Sequence, residues 1–184
     1  MTVWEITNKW MNDYADLVIT PEDSLNPNFE KQFGGDGKPL HWKKRPKLTV
    51  FVEKGRKTPE PRSDITTVSL PGPIFNEKAR DVLGDFLSQF GQFLEVDVDG
   101  HVEYYYNVTN VISCLDQQRS EKTDYGAIRK PVFSASAIPT APMLFKLPGS
   151  PVRIYVNDGA KETLEERIAK HGLIGMSFSA RETV

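Results

Sequence analysis

Between Asn76 and Gly91 the apolar residues Ala79, Val82, Leu83, Phe86, Leu87 and Phe90 recur at three- and four-residue steps, the period of a helix with one buried stripe. Asn76 stands where a side-chain oxygen can accept from the first free amides, and Gly91 follows the last apolar position. A helix is therefore predicted over about 76–90. The stretch "NDGAKETLEERIAKHG" reads the same way, with Asn157 as cap and Gly172 as stop, and predicts a second amphipathic helix over about 158–171. Slid by a fixed offset, Asn76, Ala79, Leu83, Leu87 and Gly91 fall on Asn157, Ala160, Leu164, Ile168 and Gly172. Each helix lies between extended segments, so a duplicated strand-helix-strand unit is expected.

The alternating segments fill in the rest. "KLTVFVE" sets Leu48, Val50 and Val52 against Thr49, Phe51 and Glu53, and "LIGMSF" alternates Ile174, Met176 and Phe178, both at strand period. "FLEVDVDGHVEYYYNV" reads as a hairpin. A two-residue Asp99-Gly100 turn would pair Val98 with His101 and Val96 with Glu103, mixing apolar and polar residues on one face. A three-residue loop, Val98-Asp99-Gly100, instead pairs Val96 with Val102 and Leu94 with Tyr104. That register makes an inner face of Tyr104, Tyr106, Val108, Ile112 and Cys114 and an outer face of Phe93, Glu95, Asp97, Glu103, Tyr105 and Asn107. The part from about 1 to 62 is expected to be mostly irregular. It carries a short helix over Thr7 to Val18, with Trp10, Met11, Tyr14, Leu17 and Val18 at helical spacing. From Lys130 to Val156, prolines cut the chain into short strands and loops. The expectation is an α+β fold of mainly antiparallel sheet with two principal helices, in one domain over residues 1–184.

Charge and composition narrow the function classes. A net charge of −2 leaves no global basic field to attract nucleic acid or an anionic membrane. The one cysteine, Cys114, excludes an intramolecular disulfide and suits a reducing compartment. The start, "MTVWE", has no basic n-region or apolar h-region, and a cytoplasmic protein without a membrane partner is expected. On that expectation the sequon Asn107-Val108-Thr109 is not used.

No constellation of catalytic residues is evident. His41, His101 and His171 lack metal-ligand spacing. "FGGDGKPLHW" lacks the phosphate-loop spacing and puts Pro39 where the loop's helix should open. Cys114, on an inner strand face, is a packing group rather than a nucleophile. Asp116 and Ser120, at the ends of "DQQRS", suit side-chain caps of a turn. No catalytic, cofactor or metal-binding residue is expected.

Surface charge is more informative. Lys38, His41, Lys43, Lys44, Arg45, Lys47, Lys54, Arg56 and Lys57 form a basic stretch, read here as a solvated loop and strand edge; a nucleic-acid adaptor is the disfavoured alternative. The outer hairpin face, Phe93, Glu95, Asp97, Glu103, Tyr105 and Asn107, mixes aromatics with acids, as a contact for a basic partner would. It equally suits burial of its aromatics under a second layer with an acidic rim.

The order of these signals resembles the polymorphic-toxin immunity proteins grouped as immunity family eleven, over most of the chain. The resemblance rests on "FGGDGKPLHWKKRPKL", on Ser63-Asp64 with "IFNEKARDVL", on "YYYNVTNVISCLDQQRS", on "MLFKLPG" and on "VNDGAKETLEERIAKHGLIGMSF". It implies a binding protein that occludes a cognate toxin, the C-terminal toxin domain of a secreted or contact-delivered effector. It supplies no catalytic residues. Tyr104, Tyr106, Asn107, Asp116, Ser120, Gly172 and Gly175 are then scaffold positions, with partner contacts on variable surface. The rival is a small enzyme or ligand-binding domain with a pocket near the tyrosine-rich strand, holding Asp116 and Ser120.

Overall fold

A computed structural model describes residues 1–8, 13–20, 30–66, 71–150 and 152–184. Its helices are α1, Glu77–Leu87, and α2, Asp158–His171. Asn76 and Asn157 cap them alike: the amide of Ala79 donates to Asn76 Oδ1 at 2.8 Å, and that of Ala160 to Asn157 Oδ1 at 3.1 Å. Gly172 ends α2. No helix among the described residues is long and apolar enough to cross a membrane.

The strands are β1 Val3–Thr7, β2 Leu17–Ile19, β3 Lys47–Val50, β4 Ile65–Thr66, β5 Ile74–Phe75, β6 Gly91–Val98 and β7 His101–Val108, followed by β8 Glu121–Lys122, β9 Ile128–Lys130, β10 Val132–Phe133, β11 Leu144–Phe145, β12 Tyr155–Asn157 and β13 Ser177–Thr183. The fold is α+β. The portion expected to be mostly irregular thus contributes β1 and β2 as well as β3, which lies within the strand expected at "KLTVFVE" and ends at Val50. The helix expected over 7–18 does not form at either end: Thr7 belongs to β1, and Leu17 and Val18 belong to β2, while Trp10 and Met11 lie outside the described residues. The apolar run Leu17–Ile19 pairs with Leu48–Val50, and this pairing overrides the helical spacing.

The duplication is an architectural one. One sheet has the order β2-β3-β6-β7-β5-β4 and the other β10-β13-β1-β12-β11. Setting β2 aside, the two orders correspond strand for strand, and so do the directions. β3 runs parallel to β6 as β10 does to β13, and every other neighbouring pair in both series is antiparallel. Each unit is a strand, a helix and a strand, β5-α1-β6 or β12-α2-β13, with one antiparallel strand between the two. In the first unit that strand, β7, follows β6 through a hairpin; in the second it is β1, from the other end of the chain.

Both sheets are buried on both faces. Phe75, Tyr106 and Val108 of one sheet and Leu144 and Val156 of the other meet α1 and α2 in a shared cluster that includes Leu83, Leu87 and Leu164. Their chain neighbours point the other way. Ile74, Val96, Val98 and Tyr105 pack with Phe33, Leu40 and Trp42 on the far face of the six-stranded sheet. Val3, Phe145 and Tyr155 pack with Cys114, Phe133 and Ile138 on the far face of the five-stranded one. The two units join through the loop after α2: the amides of Ile174 and Asn76 Nδ2 both reach the Asp64 carboxylate, at 2.9 and 3.0 Å. Gly175 lies so close to the chain there that a β-carbon would sit 1.9 Å from the Ile65 carbonyl oxygen, which only glycine permits.

Candidate functional site

The tyrosine-rich hairpin has the register that sequence parity rejects. Val98 stands opposite His101 and Val96 opposite Glu103, across a two-residue Asp99-Gly100 turn. Both turn residues have positive φ, 50° and 86°, as a type I′ turn requires. Asp99 accepts the Val50 amide at 3.0 Å, and Asp97 accepts that of Gly100 at 2.7 Å. Parity is decisive only for a sheet with one inner face; here both faces are covered, and of the polar residues opposite Val98 and Val96, His101 is exposed and Glu103 is paired with Arg62.

This register breaks up the expected outer face. Phe93, Glu95 and Asp97 share a face with Tyr104 and Tyr106, and Phe93 packs under α1 with its ring 4.8 Å from that of Tyr106. Glu103, Tyr105 and Asn107 lie on the opposite face. Tyr105 and Asn107 are fully buried and so unavailable to a partner. Glu95 pairs with Arg45, and Glu103 with Arg62 at 2.8 Å, so these acids are neutralised within the chain. In the basic stretch, Lys38 pairs with Asp36, and Arg56 with Glu53 and Glu60.

The tyrosine hydroxyls are committed to the backbone. Tyr105 donates to the Phe33 carbonyl and Tyr106 to that of Leu87, each at 2.7 Å, and burial pushes both phenols above their ordinary range. Asn107 Nδ2 donates to the Lys38 carbonyl at 2.9 Å and to Gln92 Oε1 at 3.0 Å. β7 ends at Val108, so Cys114 is not on its inner face; it lies in the cluster beneath the five-stranded sheet, where burial raises its thiol to about 11. Asp116 Oδ1 accepts the amides of Gln118 and Arg119 at 3.0 and 3.1 Å. Ser120 Oγ accepts the Val132 amide at 2.9 Å, fixing the turn that leads to β8.

That turn leads into two short strands that are mostly exposed. β8 and β9 form a two-stranded ribbon outside the two large sheets. Its loop is locked by local bonds: Thr123 N donates to the Ala127 carbonyl at 2.8 Å, Gly126 N to the Thr123 carbonyl at 2.9 Å, and Ala127 N to Thr123 Oγ1 at 3.1 Å. Held at this tip, Tyr125 is 98% exposed, the most exposed large apolar side chain among the described residues.

A cationic notch lies at the ribbon's base. A cavity of about 210 Å³ is lined by Arg129, Lys130, Pro131, Arg153, Arg181 and Glu182 among others. Behind two of its arginines Glu5, on β1, stands between Tyr155 of β12 and Ser179 of β13. A half-buried carboxylate needs partners, and here two guanidiniums share it: Arg181 Nε at 2.8 Å and Arg153 Nε at 3.9 Å. Arg153 also donates to the Arg129 carbonyl at 3.3 Å, tying ribbon to sheet. Lys130 pairs with Glu182 at 3.5 Å and Arg129 with Glu121 at 2.5 Å, holding the Glu121 carboxyl below its usual range. Burial and the neighbouring Glu5 push the Tyr155 phenol up to about 12, so it stays neutral beside the notch. With one carboxylate serving two arginines, the notch keeps an excess of positive charge.

Sequence reasoning passed over Tyr125, Arg129, Lys130, Arg153 and Arg181. The signal for Tyr125 was local: an aromatic inside "KTDYGA", where turn residues surround it and no apolar neighbour offers it a core. The notch had none, because β1, β9 and β13 and the residues before β12 meet only in the fold. A second cavity, about 600 Å³, runs between α1 and α2 and is bridged by Arg167, which contacts both Asp85 oxygens and so depresses that carboxyl. No protein-family model matches the chain, and no curated protein matches it.

Proposed function

We propose that the protein is an immunity protein, resident in the cytoplasm of the producing cell, which neutralises a cognate bacterial toxin by binding and occluding it. The resemblance to immunity family eleven supports this reading, and Tyr125 is the observation that carries it to a surface. A tyrosine held in solvent by a locked turn loses little conformational entropy on docking and offers a large amphipathic anchor. Such residues are the usual centres of binding energy in protein interfaces. An exposed two-stranded ribbon suits insertion into a concave surface such as an active-site cleft.

The test is co-purification with, and growth rescue against, the C-terminal domain of the effector encoded in the neighbouring reading frame. The wild-type protein is expected to form a complex and to restore growth. Tyr125→Ala is expected to weaken the complex tenfold or more, about 1.4 kcal/mol, with the circular-dichroism spectrum unchanged. Failure of the wild-type protein both to bind and to protect would overturn the proposal.

A further inference from the structure

We infer that the notch beneath the Tyr125 ribbon is a receptor for an acidic peptide segment, so that the partner presents a carboxylate-rich surface to this protein. The inference rests on the binder reading and deepens it. The sequence alone pointed the opposite way, to an acidic face for a basic partner, but the hairpin register divides those acids between two faces.

Three observations carry it. Arg129, Lys130, Arg153 and Arg181 converge from three separate parts of the chain on one cavity of about 210 Å³, a size that takes a carboxylate side chain or two rather than a large cofactor. Each of these cations already meets a carboxylate of the protein, Glu121, Glu182 or Glu5, so the geometry accepts carboxylates and a partner's acid can take the place of an exposed internal one. The Arg129 side chain is 70% exposed and its partner Glu121 47%, so their exchange requires little desolvation. Tyr125 lies four residues from Arg129, within about 13 Å along an extended chain. An anchor and a charged receptor therefore fall within one interface footprint. An acidic peptide fits better than a nucleic acid, since the chain's net charge of −2 provides no wider field to track phosphates.

The probe is a fluorescein-labelled hexaglutamate peptide, followed by anisotropy at 50 and 200 mM salt, with hexalysine and a ten-residue oligothymidylate as comparisons. Hexaglutamate is expected to bind best, about tenfold more weakly at the higher salt. R129Q/K130Q alters side chains 70% and 60% exposed, so the fold should survive, and is expected to weaken binding at least fivefold. E5Q removes the shared internal carboxylate and should strengthen binding several-fold, a gain that a merely structural Glu5 would not give. Binding of oligothymidylate tighter than hexaglutamate, or no response to R129Q/K130Q and E5Q, would overturn the inference. With the toxin domain as ligand, equal affinity for wild type and R129Q/K130Q sinks the notch while the binder reading stands. If the wild-type protein binds no toxin domain, the binder reading falls and the peptide series still decides the chemistry of the notch.

Discussion

Asn157 does more than cap a helix. Its Oδ1 accepts the amides of Ala160 and Met143 at 3.1 and 3.0 Å, and its Nδ2 donates to the carbonyls of Pro139 and Ala141 at 3.0 and 2.7 Å. It thereby ties α2 to the proline-broken chain before β11, with its side chain buried. Asn76, its counterpart, caps α1 and among the described residues donates to one further group, Asp64. Removing a cap costs about 1 kcal/mol and a sheltered partner left unsatisfied adds about 1–3, whereas water can take over the bonds to the exposed Pro139 and Ala141. Asn76→Ala should therefore cost about 1–2 kcal/mol and Asn157→Ala about 3, measured by urea denaturation. Asn157→Asp should fall between wild type and alanine, because it keeps the acceptor for Ala160, places a negative charge at the helix N-terminus and loses both donated bonds. Equal losses at the two asparagines would contradict this asymmetry. The sequence placed both residues as caps correctly, since capping is local; the extra bonds of Asn157 are long-range and left no mark in it.

At the scale of elements, the helices were legible because their stripes, caps and stop residues lie within one short window. The hairpin strands were legible too, but not their register. Alternation along β7 assigns Tyr104 and Tyr106 to one face and Tyr105 and Asn107 to the other, which is what the fold has. It cannot say that both faces are buried, and from an assumed single core the wrong loop length follows. The deciding feature was Asp99-Gly100 itself, a dipeptide suited to positive φ at both positions. Gly100→Ala tests its weight cleanly. A β-carbon there meets nothing within 4 Å, so any loss comes from forcing alanine to a φ of 86°. A destabilisation of about 1 kcal/mol is expected in urea, with α1 and the five-stranded sheet unaffected. No change would mean that the turn tolerates another geometry and that strand pairing alone holds the register. The N-terminal segment failed for the opposite reason: Leu17–Ile19 is strand only because β3 lies beside it.

Across the whole molecule, the offset that aligns the two helices marks a real repetition of architecture, yet the chain does not run through it in register. In the second unit β1 lies between β12 and β13, the place that β7 takes between β5 and β6 in the first. Because the strand that closes the second unit lies at the far end of the sequence, folding of that unit must wait for a contact of very large sequence separation, Val3 with Arg181. The same geometry brings the start of β1 beside the end of β13, where a hairpin connection would be short. Joining Val184 to Met1 through a Gly-containing linker of about four residues, and opening the chain after Asn8, should give a permutant in which both units are contiguous. It is expected to keep a urea midpoint close to that of the parent and to refold faster, since the longest-range pairing becomes local. Deleting residues 1–8 outright should instead abolish cooperative unfolding, because it strips paired backbone from both β12 and β13 and removes the buried Val3. If the deletion folds as well as the parent, β1 is an accessory strand and the correspondence of the two sheets has no energetic meaning. If the permutant folds cooperatively and the deletion does not, the unit of this protein is the five-stranded sheet with its helix, made twice. Glu5, which pairs with Arg153 and Arg181 of the notch, then arrives with the strand that completes the second copy.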